Sequence, residues 1–180
     1  MNSKKLNNST IGGIKTGIIN IDNIESTIKS LLELNQPQNL CQIVSANTIV
    51  CEKQVFFAIE QALSAIQNST SFSKKAELEF LLRVYGTKQI NQALDKAQLK
   101  AGKNEIVLVC CAKDKKELQE LFKQAQKTLL FKEKKIQLGK NKKELMKIYG
   151  ISEKELKTLS DLINPLEAAI IERNALVVFA

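Results

Sequence analysis

The sequence contains no histidine, only two arginines among 27 basic residues, and four cysteines that never form a C-x-x-C pair. Histidine is the commonest general base, so its absence lowers the expectation of an enzyme without excluding one. Cys41, Cys51, Cys110 and Cys111 come from three distant segments, which does not match the usual spacing of zinc ligands. We therefore interpret them as reduced, mostly buried thiols of a cytoplasmic protein, and we expect no metal and no cofactor.

Long apolar runs are also missing, and so are the common nucleotide and nucleophile motifs. No 18-residue apolar stretch could span a membrane, and the N-terminus lacks the apolar region of a secretory signal. The segment "GGIKTG" (Gly12 to Gly17) superficially resembles a phosphate loop, but it lacks the first glycine and continues as a strand. The paired carboxylates fit helix caps rather than a catalytic pair. Of the function classes considered, a small enzyme is therefore the least favoured, and we expect no small-molecule substrate.

The arrangement of apolar residues predicts one mixed α/β domain over residues 11–180, preceded by a disordered lead-in at residues 1–10. We expect a small central mixed β-sheet of about four strands, surrounded by seven to eight α-helices. The predicted strands include Ile11–Ile19, an interior strand at Ile106–Cys110 and a C-terminal strand at Ala175–Phe179. Helix starts are predicted from caps at Asp22, Ser73, Thr87, Asp114, Asn141 and Ser152, and from Pro165 as a first helical residue.

The formal net charge of +8 favours an anionic partner, with nucleic acid ahead of a membrane surface. Seven lysines stand in the stretch "FKEKKIQLGKNKKELMK" from Phe131 to Lys147. A solvated lysine-rich face explains that stretch as well as an RNA contact does.

The stretch "LLRVYGTKQINQAL" combines two cations with a helix break. Gly86 ends one helix, and Thr87 can cap the next, whose N-terminus would attract phosphate. Arg83 and Lys88 could flank one anion there, with Tyr85 as a ring for base stacking. The alternative is an ion pair between Arg83 and Glu79 on the helix surface, with Tyr85 in the core and Lys88 merely solvated.

Several segments resemble the kinase-binding subunit family of the KEOPS/EKC complex, known as TPRKB or PRPK-binding protein in animals. The resemblance covers most of the chain from Ile11 onward and includes "FAIEQALSAI", "SFS", "NEIVLVC" and "IIERNALVVF". Its most specific part is "ELEFLLRVYGTKQINQAL", which is similar to the family's Arg-x-x-Gly-x-Arg-Gln-Ile block. The sequence departs from that block at Lys88, where the family has arginine, and at Tyr85, where it has a small residue.

This resemblance implies a non-enzymatic subunit of archaeal type that binds the small atypical kinase/ATPase subunit of the complex. It also implies recruitment of tRNA through its single-stranded 3′ CCA end, for threonylcarbamoyladenosine modification, with no membrane partner. The RNA-binding residues would be Arg83, Tyr85, Gly86, Thr87, Lys88 and Gln89. Candidate secondary contacts to the RNA backbone are Lys134, Lys135, Lys140, Lys142 and Lys143. The alternative is a pure protein-interaction module that binds no RNA.

Overall fold

The computed structural model describes residues 2–7, 10–36, 39–159 and 161–178 of the chain. Contacts between Cα atoms divide the chain into two compact units. The first, which we name the sheet unit, comprises Met1–Ala46 and Gln98–Ile136. The second, the helical unit, comprises Asn47–Ala97 and Gln137–Ala180.

The sheet unit is built around antiparallel strands in the order β1-β2-β4-β3, and β5 also pairs with β2. Its elements are β1 (Asn2–Asn7), β2 (Thr10–Ile21), α1 (Ile24–Leu32), β3 (Leu40–Ser45), β4 (Gly102–Ala112), α5 (Lys115–Thr128) and β5 (Lys132–Glu133). The predicted interior strand at Ile106–Cys110 is confirmed, since β4 lies between β2 and β3. The predicted sheet was mixed, whereas every pairing between the described strands is antiparallel.

The core of the sheet unit follows the two-residue period of β4. Ile106, Leu108 and Cys110 point to the same face and pack in one cluster with Leu118 and Phe122 of α5. The glycine-rich start of β2 belongs to this packing, because a Cβ added at Gly13 would lie 2.8 Å from the Phe122 ring. The segment "GGIKTG" is therefore strand, as predicted, and its Gly13 allows a close approach of α5.

The helical unit contains the remaining helices and a buried polar network. A 3₁₀ turn at Ala46–Thr48 comes directly before α2. The helices of this unit are α2 (Glu52–Gln67), α3 (Ala76–Tyr85), α4 (Ile90–Ala97), α6 (Lys142–Tyr149), α7 (Glu153–Thr158) and α8 (Pro165–Leu176). In the network, Gln54 Nε2 donates to the Tyr149 hydroxyl at 2.6 Å and to Val84 O at 3.0 Å. These bonds satisfy polar groups that would otherwise destabilise the interior.

Three of the predicted helix starts are confirmed by hydrogen bonds at the caps, and a fourth by the position of its proline. The side chains of Asp114, Asn141 and Ser152 each accept a hydrogen bond from a backbone N–H three residues later, at 2.9, 3.2 and 3.1 Å. Pro165 is the first residue of α8. Three caps were wrong: Asn23 rather than Asp22 caps α1, Lys75 rather than Ser73 stands at the cap of α3, and α4 begins at Ile90 rather than directly after Thr87.

Both ends of the chain differ from the sequence prediction. Residues Asn2–Asn7, expected to be disordered, form β1 and pair with β2. Residues Asn2–Lys5 are exposed, so this edge strand forms through backbone pairing, which a hydrophobic pattern cannot reveal. The predicted C-terminal strand is wrong for its residues 175–178, because Ala175 and Leu176 continue α8. Its last residue, Phe179, lies outside the described residues.

Candidate nucleic-acid interface

Arg83 lies on α3 with only 2% of its side chain exposed. Its Nε donates to Glu79 Oε1 at 2.7 Å, and its Nη2 lies 2.6 Å from the same oxygen. Glu79 is fully buried, and its Oε2 accepts a hydrogen bond from Ser73 N at 2.9 Å. The four-residue spacing thus produces the ion pair considered as the alternative, but the pair is buried rather than on the helix surface.

Tyr85 is fully buried at the end of α3. Its hydroxyl is 2.8 Å from Thr48 Oγ1, and its ring stacks on Tyr149 with 6.4 Å between centroids. Burial raises the pKa of the Tyr85 hydroxyl well above its ordinary value, and the bond to Thr48 only partly offsets this. A ring in this position is not accessible to a base, so the structure argues against the stacking role predicted for Tyr85.

Gly86 ends α3 as predicted, in the left-handed conformation with φ +58°. Its N–H bonds to Arg83 O at 3.3 Å, and Thr87 N bonds to Leu82 O at 3.1 Å, which satisfies carbonyls at the end of the helix. Lys96 Nζ adds a bond to Tyr85 O at 3.1 Å, and burial, followed by the charge of Arg173, lowers the pKa of Lys96.

Thr87 does not cap α4 in the predicted way. Only 7% of Thr87 is exposed, and its hydroxyl donates to Gln92 Oε1 at 2.8 Å while accepting from Gln89 N at 3.2 Å. The first helical bond runs from Ala93 N to Gln89 O, so α4 begins at Ile90. The unpaired N–H groups expected after Thr87 therefore lie later in the chain.

Lys88 and Gln89 are exposed, and the aromatic ring beside Lys88 is Phe72 rather than Tyr85. Lys88 Nζ is 5.3 Å from the centroid of the Phe72 ring, and Arg83 Cζ is 4.9 Å from it. Phe72 is 39% exposed. Phe72 is not among the site residues predicted from the sequence, although a phenylalanine in the polar loop "NSTSFS" was a signal.

A pocket of about 350 Å³ in the helical unit is lined in part by Arg83, Phe57, Gln61 and Thr70. Gln61 Oε1 is buried and has no hydrogen-bond partner among the described residues. Beyond Glu79, Arg83 Nη2 likewise has no hydrogen-bond partner in the described part of the chain. Gln61 and Arg83 thus line the pocket as residues, while these two atoms are themselves buried.

The candidate lysines of the basic stretch are all exposed and belong to both units. Lys134 and Lys135 lie in the sheet unit, and Lys134 Nζ is 3.7 Å from Glu105 Oε1. Lys140, Lys142 and Lys143 lie in the helical unit, where Lys142 and Lys143 begin α6.

Other chemistry is sparse in the described residues. None of their Cys, Asp and Glu side chains form a group that could hold a metal ion. Cys41, Cys110 and Cys111 are buried, and burial raises the pKa of the half-buried Cys51 to about 11, which keeps its thiol protonated at neutral pH. No described helix has the length and apolar character needed to cross a bilayer.

Comparison with known proteins identifies the family. Residues 18–177 match the family described as kinase binding protein CGI-121. A 74-residue stretch is 36% identical to the KEOPS complex subunit Cgi121 of Pyrococcus abyssi (strain GE5 / Orsay), covering 41% of this chain. The matched stretch spans only 42% of the length of that relative. The family match extends over most of the sequence, so the chain belongs to the kinase-binding CGI-121 family.

Proposed function

We propose that this chain is a non-catalytic accessory subunit of a KEOPS complex. It binds and supports the small kinase/ATPase subunit, and it recruits tRNA by the single-stranded 3′ CCA end for threonylcarbamoyladenosine modification. The observation that carries the proposal is the family match over residues 18–177. The Pyrococcus abyssi relative, which is named as a KEOPS complex subunit, supports the assignment of the complex.

The surface around Lys88 supports the RNA part of the proposal. Single-stranded RNA is recognised by cations that contact phosphates and by groups that contact exposed bases. Lys88 is exposed beside Phe72, and the pocket lined by Arg83 and Gln61 belongs to the same unit. In this arrangement Lys88 contacts a backbone phosphate, while the buried Arg83 supports this surface from the interior.

One observation favours the alternative of a protein-interaction module without RNA binding. Arg83 and Tyr85, two of the residues expected to contact RNA, are buried. A kinase-binding subunit needs neither of them on its surface. Under this alternative the net charge of +8 serves solubility alone.

A binding comparison tests the RNA part. We expect the purified protein to bind intact tRNA more tightly than the same tRNA lacking CCA. Lys88→Gln should weaken binding several-fold and lower the slope of log affinity against log salt by about 0.7, the value for one phosphate contact of a single strand. Fluorescence anisotropy across a salt series measures both quantities.

The control is Lys116→Gln, which removes an exposed charge of α5 in the sheet unit. It should leave the CCA-dependent part of the affinity unchanged. Equal affinity for the two tRNAs would contradict recruitment by the 3′ end. If the protein co-purifies with its cognate kinase subunit but binds no tRNA, the protein-interaction alternative is correct.

A further inference from the structure

We propose that Phe72 is the residue on which an unpaired base of the bound RNA stacks, and that the buried Glu79–Arg83 pair positions it. This inference rests on the proposed recruitment of tRNA by its 3′ end. It adds a residue that was not among the predicted site residues, and it changes the role of Arg83 from a phosphate ligand to a support. Three features of the helical unit lead to it.

The first feature is accessibility. Phe72 is 39% exposed, whereas Tyr85 and Tyr149 are buried, and Phe56 and Phe57 are partly buried. Among the described residues, Phe72 is the most exposed aromatic side chain, although more than half of it is covered. A single exposed apolar residue is ordinary by itself, so its surroundings have to decide the role.

The second feature is that the ring is held in place. Ser73 N donates to Glu79 Oε2 at 2.9 Å, and Lys75 N donates to Ser73 Oγ at 3.2 Å, so the loop before α3 is attached to the helix. The Arg83 guanidinium, fixed by two contacts to Glu79 Oε1, lies 4.9 Å from the Phe72 centroid. A buried ion pair contributes little net stability, and here its geometry orients an exposed ring.

The third feature is charge next to the ring. Lys88 Nζ lies 5.3 Å from the Phe72 centroid on an exposed and flexible stem. Proteins that bind single-stranded nucleic acid combine an aromatic stacking surface with cations that follow the backbone. Phe72 and Lys88 supply one of each, so a stacked base would bring its own phosphate within reach of the ammonium group.

The test compares Phe72→Leu with Phe72→Tyr, using a fluorescently labelled single-stranded RNA that ends in CCA. Phe72→Leu keeps an apolar side chain but removes the π face, and we expect affinity to fall by about five- to one-hundred-fold. Phe72→Tyr keeps the ring and should bind within about twofold of the wild type. A role that is only structural would not distinguish leucine from tyrosine in this way.

The positioning role of the pair is tested in the double variant Glu79→Leu/Arg83→Met, which replaces both charges by apolar side chains. If Arg83 only supports Phe72, the double variant loses affinity with an unchanged salt slope. Adding Phe72→Leu should then cause little further loss. A salt slope that falls by about 0.7 would instead identify Arg83 as a phosphate ligand and overturn the positioning role.

Leu130→Ala, which truncates an 81% exposed side chain in the sheet unit, serves as the control and should bind RNA normally. Suppose that Phe72→Leu binds with wild-type affinity, while the wild type clearly prefers the CCA-ending RNA to the same RNA without CCA. That result overturns the stacking role and leaves the proposed function intact. If the wild type shows no such preference, both proposals fail together.

Discussion

Arg83 and Glu79 place opposite charges where neither side chain reaches solvent. Arg83 is 2% exposed and Glu79 is fully buried, with 2.6 Å between Nη2 and Oε1. Moving each charge out of water is unfavourable, and only the mutual attraction and the added hydrogen bonds offset this. The free energy of unfolding is therefore much more sensitive to the loss of one partner than to the replacement of both.

We predict that Glu79→Gln destabilises the protein by about 3–5 kcal/mol, because it leaves the Arg83 charge buried without its counterion. Urea unfolding followed by circular dichroism measures this as a lower midpoint. The matched control is Glu117→Gln, which breaks the exposed pair of Lys113 and Glu117, also four residues apart with 2.8 Å between Nζ and Oε1. The control should hardly change the urea midpoint. Equal effects of the two variants would show that burial does not make the pair of Glu79 and Arg83 more sensitive.

The contact between Arg83 and Glu79 was the alternative to the predicted RNA contact, and the sequence did not predict that it would be buried. The spacing of four residues brings the two side chains together on any helix. Burial depends on what covers α3, and the covering groups include Phe72 from the loop before the helix. The same reason explains Tyr85, whose hydroxyl finds Thr48 from 37 residues earlier in the chain. Contacts between distant segments are not encoded in local periodicity, and they decide which residues remain exposed.

At the scale of elements, the turn between α3 and α4 was predicted in outline. Gly86 as the end of α3 is confirmed, because few residues other than glycine adopt a positive φ there without strain. The spacing of Ile90, Ala93, Leu94 and Ala97 predicts that all four residues face inward from α4, and this is confirmed only in part. Ala93 and Ala97 are buried as expected, whereas Ile90 and Leu94 are 39% and 49% exposed. Hydrophobic period predicts the direction of a face, but not how deeply each residue of that face is covered.

Two helices end in glycines of nearly equal conformation, and this pair separates two effects. Gly86 and Gly150 have φ values of +58° and +62°, at the ends of α3 and α6. A Cβ at Gly86 would lie 3.1 Å from Arg173 O, a backbone atom. At Gly150 the nearest atom is Arg173 Nη1 at 3.9 Å, on a flexible side chain.

We predict that Gly150→Ala costs about 1–2 kcal/mol, the strain of a left-handed alanine alone. Gly86→Ala should cost more, since the added methyl group also presses on the backbone of α8. Thermal and urea unfolding of the two variants provide the comparison. If Gly86→Ala proves no more destabilising than Gly150→Ala, the contact with Arg173 O is not a constraint.

At the scale of the whole molecule, the positive charge is the property that composition predicted most directly. The net charge of +8 follows from the sequence, and the candidate lysines are exposed in both units. Exposure alone does not distinguish an RNA-binding surface from a solvated one. Lys142 and Lys143 add one physical argument, because they occupy the first turn of α6. Cations are unfavourable at a helix N-terminus, so their presence there does not serve the stability of α6.

We predict that these lysines contact the body of the tRNA rather than its 3′ end. Lys142→Gln/Lys143→Gln in the helical unit and Lys134→Gln/Lys135→Gln in the sheet unit should each lower the salt slope for intact tRNA by about 0.7–0.9 per lost phosphate contact. Neither double variant should alter binding of a short single-stranded RNA ending in CCA, which has no body to contact.

The variant in α6 should also gain about 0.3–1 kcal/mol of stability, because it removes two cations from the helix N-terminus. Such opposite changes in stability and RNA affinity are expected of surface charges retained for binding. Unchanged slopes in both variants would identify the stretch as a solvated face and confine RNA contact to the surface around Lys88.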